Sequence, residues 1–204
     1  ERNHQVKVQF AWQRNTTPSG AEVNNAPADE TSGTWVRVSE ALAGPNWGTQ
    51  FTPRMGVEVL IDFINADMDQ PVVVAQLYNG TDTPPFAAGV DSGVNHGGTL
   101  SGWHSHNLEG SNQYNQWVLD DTSAQLRMRL GSSKAHSQLQ TGYLLSHTPT
   151  SAQRGAYRGS GFELRTDAWG TVRAPQGLLL STTARPQQGA SVASTQMDTS
   201  EARA

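Results

Sequence analysis

The chain has 204 residues, with 14 Lys and Arg against 18 Asp and Glu, a formal net charge of −4, 35% hydrophobic residues, 20 Gly, 10 Pro and no Cys. No basic cluster is interleaved with aromatics, so the electrostatic footprint of a nucleic-acid binder is missing and nucleic acid is not an expected partner. The lack of Cys excludes disulfides and thiolate metal sites, and it is compatible with folding in a reducing cytoplasm.

A mean hydropathy of −0.55 with this much Gly and Pro is low for one globule of this size. An extended or oligomeric architecture in two segments fits better, with a boundary near residues 80–100. No stretch approaches the ~20 apolar residues of a membrane span, and residues 1–20 lack the charged-then-apolar order of a signal peptide. The chain begins without Met, directly ahead of a strand, as an excised fragment would.

The first predicted strand runs from Gln5 to Trp12, with Val6, Val8, Phe10 and Trp12 on one face. Residues 15–34 have no apolar period and read as a long loop. Trp35–Ser39 is the second strand, and Gly44-Pro45-Asn46-Trp47-Gly48 is a turn carrying one large aromatic. Next, Val57, Val59, Ile61 and Phe63 alternate with Glu58 and Asp62, the period of a half-buried strand. Gly56, just ahead of it, marks a bulge or a positive φ. Asp67, Asp69 and Pro71 supply turn chemistry, and Val72, Val73 and Val74 return as the partner strand. Several short strands with little helix predict a small Greek-key barrel.

The residues Trp35-Val36-Arg37-Val38-Ser39, Gly44, Trp47-Gly48, Phe51, Pro53-Arg54, Gly56, Glu58-Val59, Phe63, Asp67, Asp69, Pro71, Tyr78-Asn79 and Pro84-Pro85 together resemble VgrG. That family forms the spike of bacterial type VI secretion and is related to the puncturing spikes of contractile-tailed phages. Ala66 and Ala75 depart from it, standing where the family commonly has Gly. The resemblance implies that residues 1–82 form a five-stranded oligonucleotide/oligosaccharide-binding (OB) barrel. The strands lack the aromatic and Arg/Lys platform on which bases would stack, so the barrel is read as scaffold.

Beyond a linker at residues 83–100 the texture becomes Gly-, Ser- and Asn-rich, with short strands between. Residues 116–121, 126–130 and 162–166 alternate, and Leu178, Leu179 and Leu180 follow the turn Ala174-Pro175-Gln176-Gly177. None of these strands has an obvious partner hairpin with a two-residue turn. One chain of this kind would expose its edges and bury too little apolar surface to offset the entropy of ordering. The expected solution for residues 101–184 is an intertwined trimeric triple-stranded β-helix or prism. Its core would be Leu126, Met128, Leu130, Phe162, Leu164, Leu178 and Leu180, with Arg and Glu pointing to water. Residues 185–204 read as a frayed or weakly helical tail. The overall expectation is all-β: an OB barrel followed by a homotrimeric shaft.

Candidate chemistry is sparse. His104 and His106, with His96 upstream, are the sharpest metal-ligand candidates, since residues two apart on a strand share a face. The bland reading is a polar strand or loop in which His is tolerated, and no metal site or cofactor is assigned. Asp120-Asp121 and Asp67/Asp69 could serve as acid/base pairs for glycoside hydrolysis; the first more simply ends a strand, and the second sits in a turn. Gly-x-Ser-x-Gly is absent from the chain. Trp12, Trp35 and Trp47 read as barrel core or rim, and Trp103, Trp117 and Trp169 as packing at chain interfaces.

The resemblance implies a structural, non-enzymatic role: a rigid trimeric spike that penetrates target envelopes and delivers effectors. Its implied partners are two further copies of the chain, a tip protein and effectors beyond the fragment, the inner-tube protein through a region N-terminal to it, and transiently the target membrane. Assembly would be cytoplasmic and export mechanical, through the contractile apparatus. A glycan-hydrolysing module fused to a spike and a phage baseplate spike are the alternatives.

Overall fold

Alternation along residues 58–63 becomes alternation of burial: Val59, Ile61 and Phe63 are half-buried while Glu58, Leu60 and Asp62 face solvent. The computed structural model describes residues 3–10, 31, 33–86, 99–110, 112–148, 154–180 and 182. The chain divides into an N-terminal and a C-terminal unit.

The N-terminal unit holds β1 (Gln5–Val8), β2 (Thr34–Val38), β3 (Ala43–Gly44), β4 (Trp47–Gly48), β5 (Glu58–Phe63) and β6 (Pro71–Leu77). Four of them form a sheet in the order β1-β2-β6-β5, with β2 and β6 parallel, and β3 and β4 make a separate ribbon. Val36 on β2 and Val73 on β6 are its fully buried side chains. β1 stops before Phe10, and Trp12 and most of the expected loop lie outside the described residues.

The β5–β6 hairpin forms as the sequence predicts. Asp67 Oδ1 accepts from the Asp69 N–H at 3.0 Å and Asp67 Oδ2 from the Gln70 amide at 2.8 Å. These bonds, the backbone one first, hold the Asp67 carboxyl below the ordinary carboxylate range. Pro71 opens β6, where its missing N–H costs least. Gly56 has φ +88, in the region that favours glycine. Ala66 also has a positive φ, +58, although it carries a Cβ. Trp35 and Trp47 lie at the rim, half-exposed, with the Lys7 ammonium 5.6 Å from the Trp35 ring centroid.

The C-terminal unit holds β7 (Leu100–His104), β8 (Asn115–Asp120), β9 (Arg127–Ser132), β10 (Ser137–His147) and β11 (Arg154–Arg165). They form one antiparallel meander in sequence order. The sequence shows no two-residue hairpin turn among these strands and none joins them, yet each pairs with its neighbour in sequence. The connections hid the hairpins because they are longer than two residues. Residues 133–136, for example, join β9 to β10 through Ala135 and His136 at φ 52 and 45. Gly142 on β10 combines φ +89 with an approach so close that a Cβ would lie 2.3 Å from the Leu126 carbonyl oxygen. The turn at 174–177 is present, its Gly177 N–H donating to the Ala174 carbonyl at 3.0 Å. Leu178, Leu179 and Leu180 extend from it unpaired in any described strand, and the tail from 183 on lies outside the described residues.

Candidate functional site: two faces of one sheet

The register of the meander places whole rows of side chains together. One row runs across all five strands through Trp103, Trp117, Leu130, Leu139 and Leu164, and the next through Ser101, Leu119, Met128, Thr141 and Phe162. Residues directly opposite one another share a face, so these rows form a continuous apolar surface. Leu130, Phe162 and Leu164 on it are 51%, 76% and 71% exposed. Contiguous apolar area of this kind marks an interaction site, whereas scattered exposed leucines do not.

Four expected core residues, Met128, Leu130, Phe162 and Leu164, thus lie on one face. Three others do not: Leu126 sits in the β8–β9 connection, its carbonyl accepting from the Tyr143 N–H at 2.9 Å, and Leu178 and Leu180 follow β11. Trp103 and Trp117 belong to the apolar face, while Trp169 lies beyond β11, almost fully exposed.

The opposite face is polar yet buried. Gln116, Val118 and Asp120 on β8, Arg127 and Arg129 on β9, and Gln140 on β10 are all under a tenth exposed. Arg127 and Arg129 therefore do not point to water, contrary to the expectation for the shaft's arginines. Asp120, whose carboxylate has no exposed surface, draws Arg127 inward. It accepts from Arg127 Nε at 3.3 Å and Nη2 at 3.2 Å, from Arg154 Nη1 at 2.7 Å, and from the Thr122 hydroxyl at 2.7 Å. Burial pushes the Asp120 carboxyl up, but the Thr122 bonds and the two guanidiniums outweigh it and hold it below the ordinary range.

β10 outruns β9 beyond Gly142, so the far end of the β10–β11 hairpin brings His147 and Arg154 to this layer. Arg127 Nη2 lies 3.0 Å from His147 Nδ1, which must accept because a guanidinium only donates. Arg154 also donates to the Thr122 hydroxyl and to the side-chain Oε1 of Gln125.

Asp120 does end a strand, and its two arginine partners leave it no freedom to act as a proton donor. His104 closes β7 and His106 lies just past it, with ring centroids 5.1 Å apart in an edge-on arrangement. Gln116 Nε2 lies 3.1 Å from His104 Nδ1, and Tyr114 stacks on the ring at 4.7 Å. Burial, then the neighbouring His106 and Arg129, pulls the His104 imidazole below its ordinary value. Among the described residues no group of three or more His, Asp or Glu side chains gathers around a common point; His96 lies outside them.

Sequence reading missed the Asp120–Arg127–Arg154 cluster and Arg129. The signal was present, since Arg127 and Arg129 alternate with Leu126, Met128 and Leu130, but alternation does not say which side is covered. It also missed Glu40, whose carboxylate accepts from His4 Nε2 at 2.8 Å, from the Thr49 hydroxyl at 2.9 Å and from the Phe51 N–H at 2.6 Å. Burial raises that carboxyl and the three bonds together hold it below its ordinary value.

Comparison with known proteins matches two family models. Residues 21–78 match the type VI secretion system/phage-baseplate injector OB domain. Residues 106–204 match the type VI secretion system Rhs element Vgr. Two proteins of Pseudomonas aeruginosa, the type VI secretion system spike proteins VgrG2a and VgrG2b, are each 40% identical over 185 residues, 91% of this chain. The chain spans 20% of the length of the first and 16% of the second. The actin cross-linking toxin VgrG1 of Vibrio cholerae is 38% identical over 81 residues, which is 40% of this chain and 6% of that protein.

Proposed function

We propose, from the premise that this chain is a segment of the VgrG family of type VI secretion spikes, that it works as a structural part of a homotrimeric puncturing device. The observation that carries the reading is the apolar face of the β7–β11 sheet. A single chain leaves Trp103, Trp117, Leu130, Phe162 and Leu164 in water, and a threefold association would remove them from it. Three equal sheets, or three chains wound through one another, would place these rows against a common axis and pair the free edges of β7 and β11. Met128, Leu130, Phe162 and Leu164 would then be core, with Leu126, Leu178 and Leu180 joining only if the winding brings them inward.

The N-terminal unit, over residues 1–82, is scaffold for that shaft, which would occupy 101–184 after a linker at 83–100. Two further copies are the first partners; a tip protein, effectors and the inner-tube protein would join outside this segment. Assembly would take place in the cytoplasm, with contraction driving the spike outward and briefly through a target membrane. Among the described residues, the buried carboxylate of the shaft unit is engaged by two arginines, which supports a mechanical role over a catalytic one.

Light scattering coupled to size exclusion tests the reading. The expected mass is three times the 22.0 kDa of one chain. A mass that stays at one chain across the micromolar range would refute it.

A further inference from the structure

Beyond the mechanical reading, we propose that the polar side of the β7–β11 sheet binds a phosphate-type oxyanion, free or as the end of a phosphomonoester, against Arg129. The first ground is charge. The buried layer holds three guanidiniums, those of Arg127, Arg129 and Arg154, and among the described residues the carboxylate between them is Asp120 alone. Asp120 engages Arg127 and Arg154 and leaves Arg129. Arg129 is 7% exposed, and its Nε and Nη1 have no hydrogen-bond partner among the described residues, nor has Nη1 of Arg127. An unpaired buried guanidinium carries a large desolvation penalty, and burying it is economical only if something negative completes it.

The second ground is space. Arg129 lines a half-open cavity of about 300 Å³ whose wall also includes Arg158, Arg165, His136, His147 and the Tyr114 ring. Such a volume is at the small end of ligand pockets, which run to about 300–1,000 Å³, and exceeds what a bare oxyanion fills. Among the described residues no carboxylate lines it. The nearby acids are committed elsewhere: Glu163 binds Arg158 through two bonds of 2.9 and 2.6 Å, and Asp167 holds His136 at 2.7 Å and Arg165 at 3.5 Å.

Gln140 Oε1, also buried without a partner among the described residues, is a neighbouring acceptor that could turn to Arg129. It would satisfy one N–H and leave the other N–H and the charge. Nε with Nη2 forms one edge of the planar guanidinium and Nη1 with Nη2 another, and either edge is a fork that can grip two oxygens of a phosphate. The Ser132 and Ser146 hydroxyls on the same wall can donate to the remaining oxygens.

Calorimetry on the full 204-residue chain, in a chloride medium of constant ionic strength, tests this with inorganic phosphate and with glucose 6-phosphate. One phosphate per chain is expected to bind. Arg129→Gln should weaken it about 10- to 100-fold, the loss of one charge-assisted bidentate contact. Arg165→Gln at the rim should cost less. Arg129→Lys, which keeps the charge and so protects the fold, should still lose several-fold. Tighter binding of the sugar phosphate would identify an ester as the occupant, and equal binding a free ion; both support the site. Absence of heat with either probe overturns it, as does undiminished binding by folded Arg129→Gln and Arg129→Lys. Because the readout is anion binding per chain, its failure leaves the trimer mass untouched.

Discussion

Asp120→Asn isolates the charge at the centre of the C-terminal unit. Asparagine keeps the volume and one acceptor oxygen, so packing and the Thr122 contacts are largely preserved while the negative charge disappears. Two arginines, with side chains 1% and 6% exposed, then face each other with no negative charge between them. Removing one partner of a buried ion pair costs roughly 3–5 kcal/mol. In a chain of this size about 1 kcal/mol moves the melting temperature by roughly 2–4 °C, so a fall of roughly 6–20 °C is expected. Thermal unfolding followed by circular dichroism at neutral pH measures it. The pH dependence supplies an independent check. Asp120 titrates lower in the folded than in the unfolded chain, so its contribution is fully present above the ordinary Asp value of about 3.9 and is lost as pH falls through the lower folded value. The gap between wild type and Asp120→Asn should therefore be constant from neutral pH down to that range and close below it. A variant melting within about 1 °C of wild type at neutral pH would refute the ion-pair argument.

Met128→Asp and Leu164→Asp each place a carboxylate on the apolar face, and in a threefold assembly each would bury one unpaired charge per chain; both should give monomers by light scattering, and an intact trimer for either would count against that face as the axis. Gly142→Ala should destabilise the C-terminal unit by more than about 2 kcal/mol, because the new Cβ meets the Leu126 carbonyl while φ stays positive; an unchanged urea midpoint would contradict it. Ala66→Gly should raise the urea midpoint slightly, by the equivalent of about 0.5–1 kcal/mol, since relief of the left-handed strain exceeds glycine's entropy cost at this exposed turn.

The N-terminal unit was legible because its signals are local. Period-2 burial in β5, the carboxylate turn at Asp67 and the positive φ at Gly56 each follow from a few adjacent residues. Ala66 is the informative exception. The sequence shows only that alanine stands there in place of the family's glycine, whereas the backbone places it at a φ of +58, which disfavours any Cβ. The meander of β7 to β11 was harder for the opposite reason. Its hairpins close through connections that carry no two-residue turn signature, and register is a non-local property that the strands set with one another.

The deeper difficulty lies in the segment Leu126 to Leu130. Strict alternation of Leu and Met with Arg says that two faces exist, and composition then suggests that the apolar one is inside. Within one chain the reverse holds: Arg127 and Arg129 are covered and Leu130 is half-exposed. Both facts follow if the chain solves two problems with two faces. The far end of the β10–β11 hairpin supplies Arg154 and His147 to close the polar layer around Asp120 from within the chain. That leaves the apolar rows for contacts the chain cannot make with itself. In the proposed trimer, a sheet that hid its leucines alone would have no surface left to hold three copies together, and one without the ion-paired layer would lose the buried contacts that tie β8, β9 and the β10–β11 hairpin to one another.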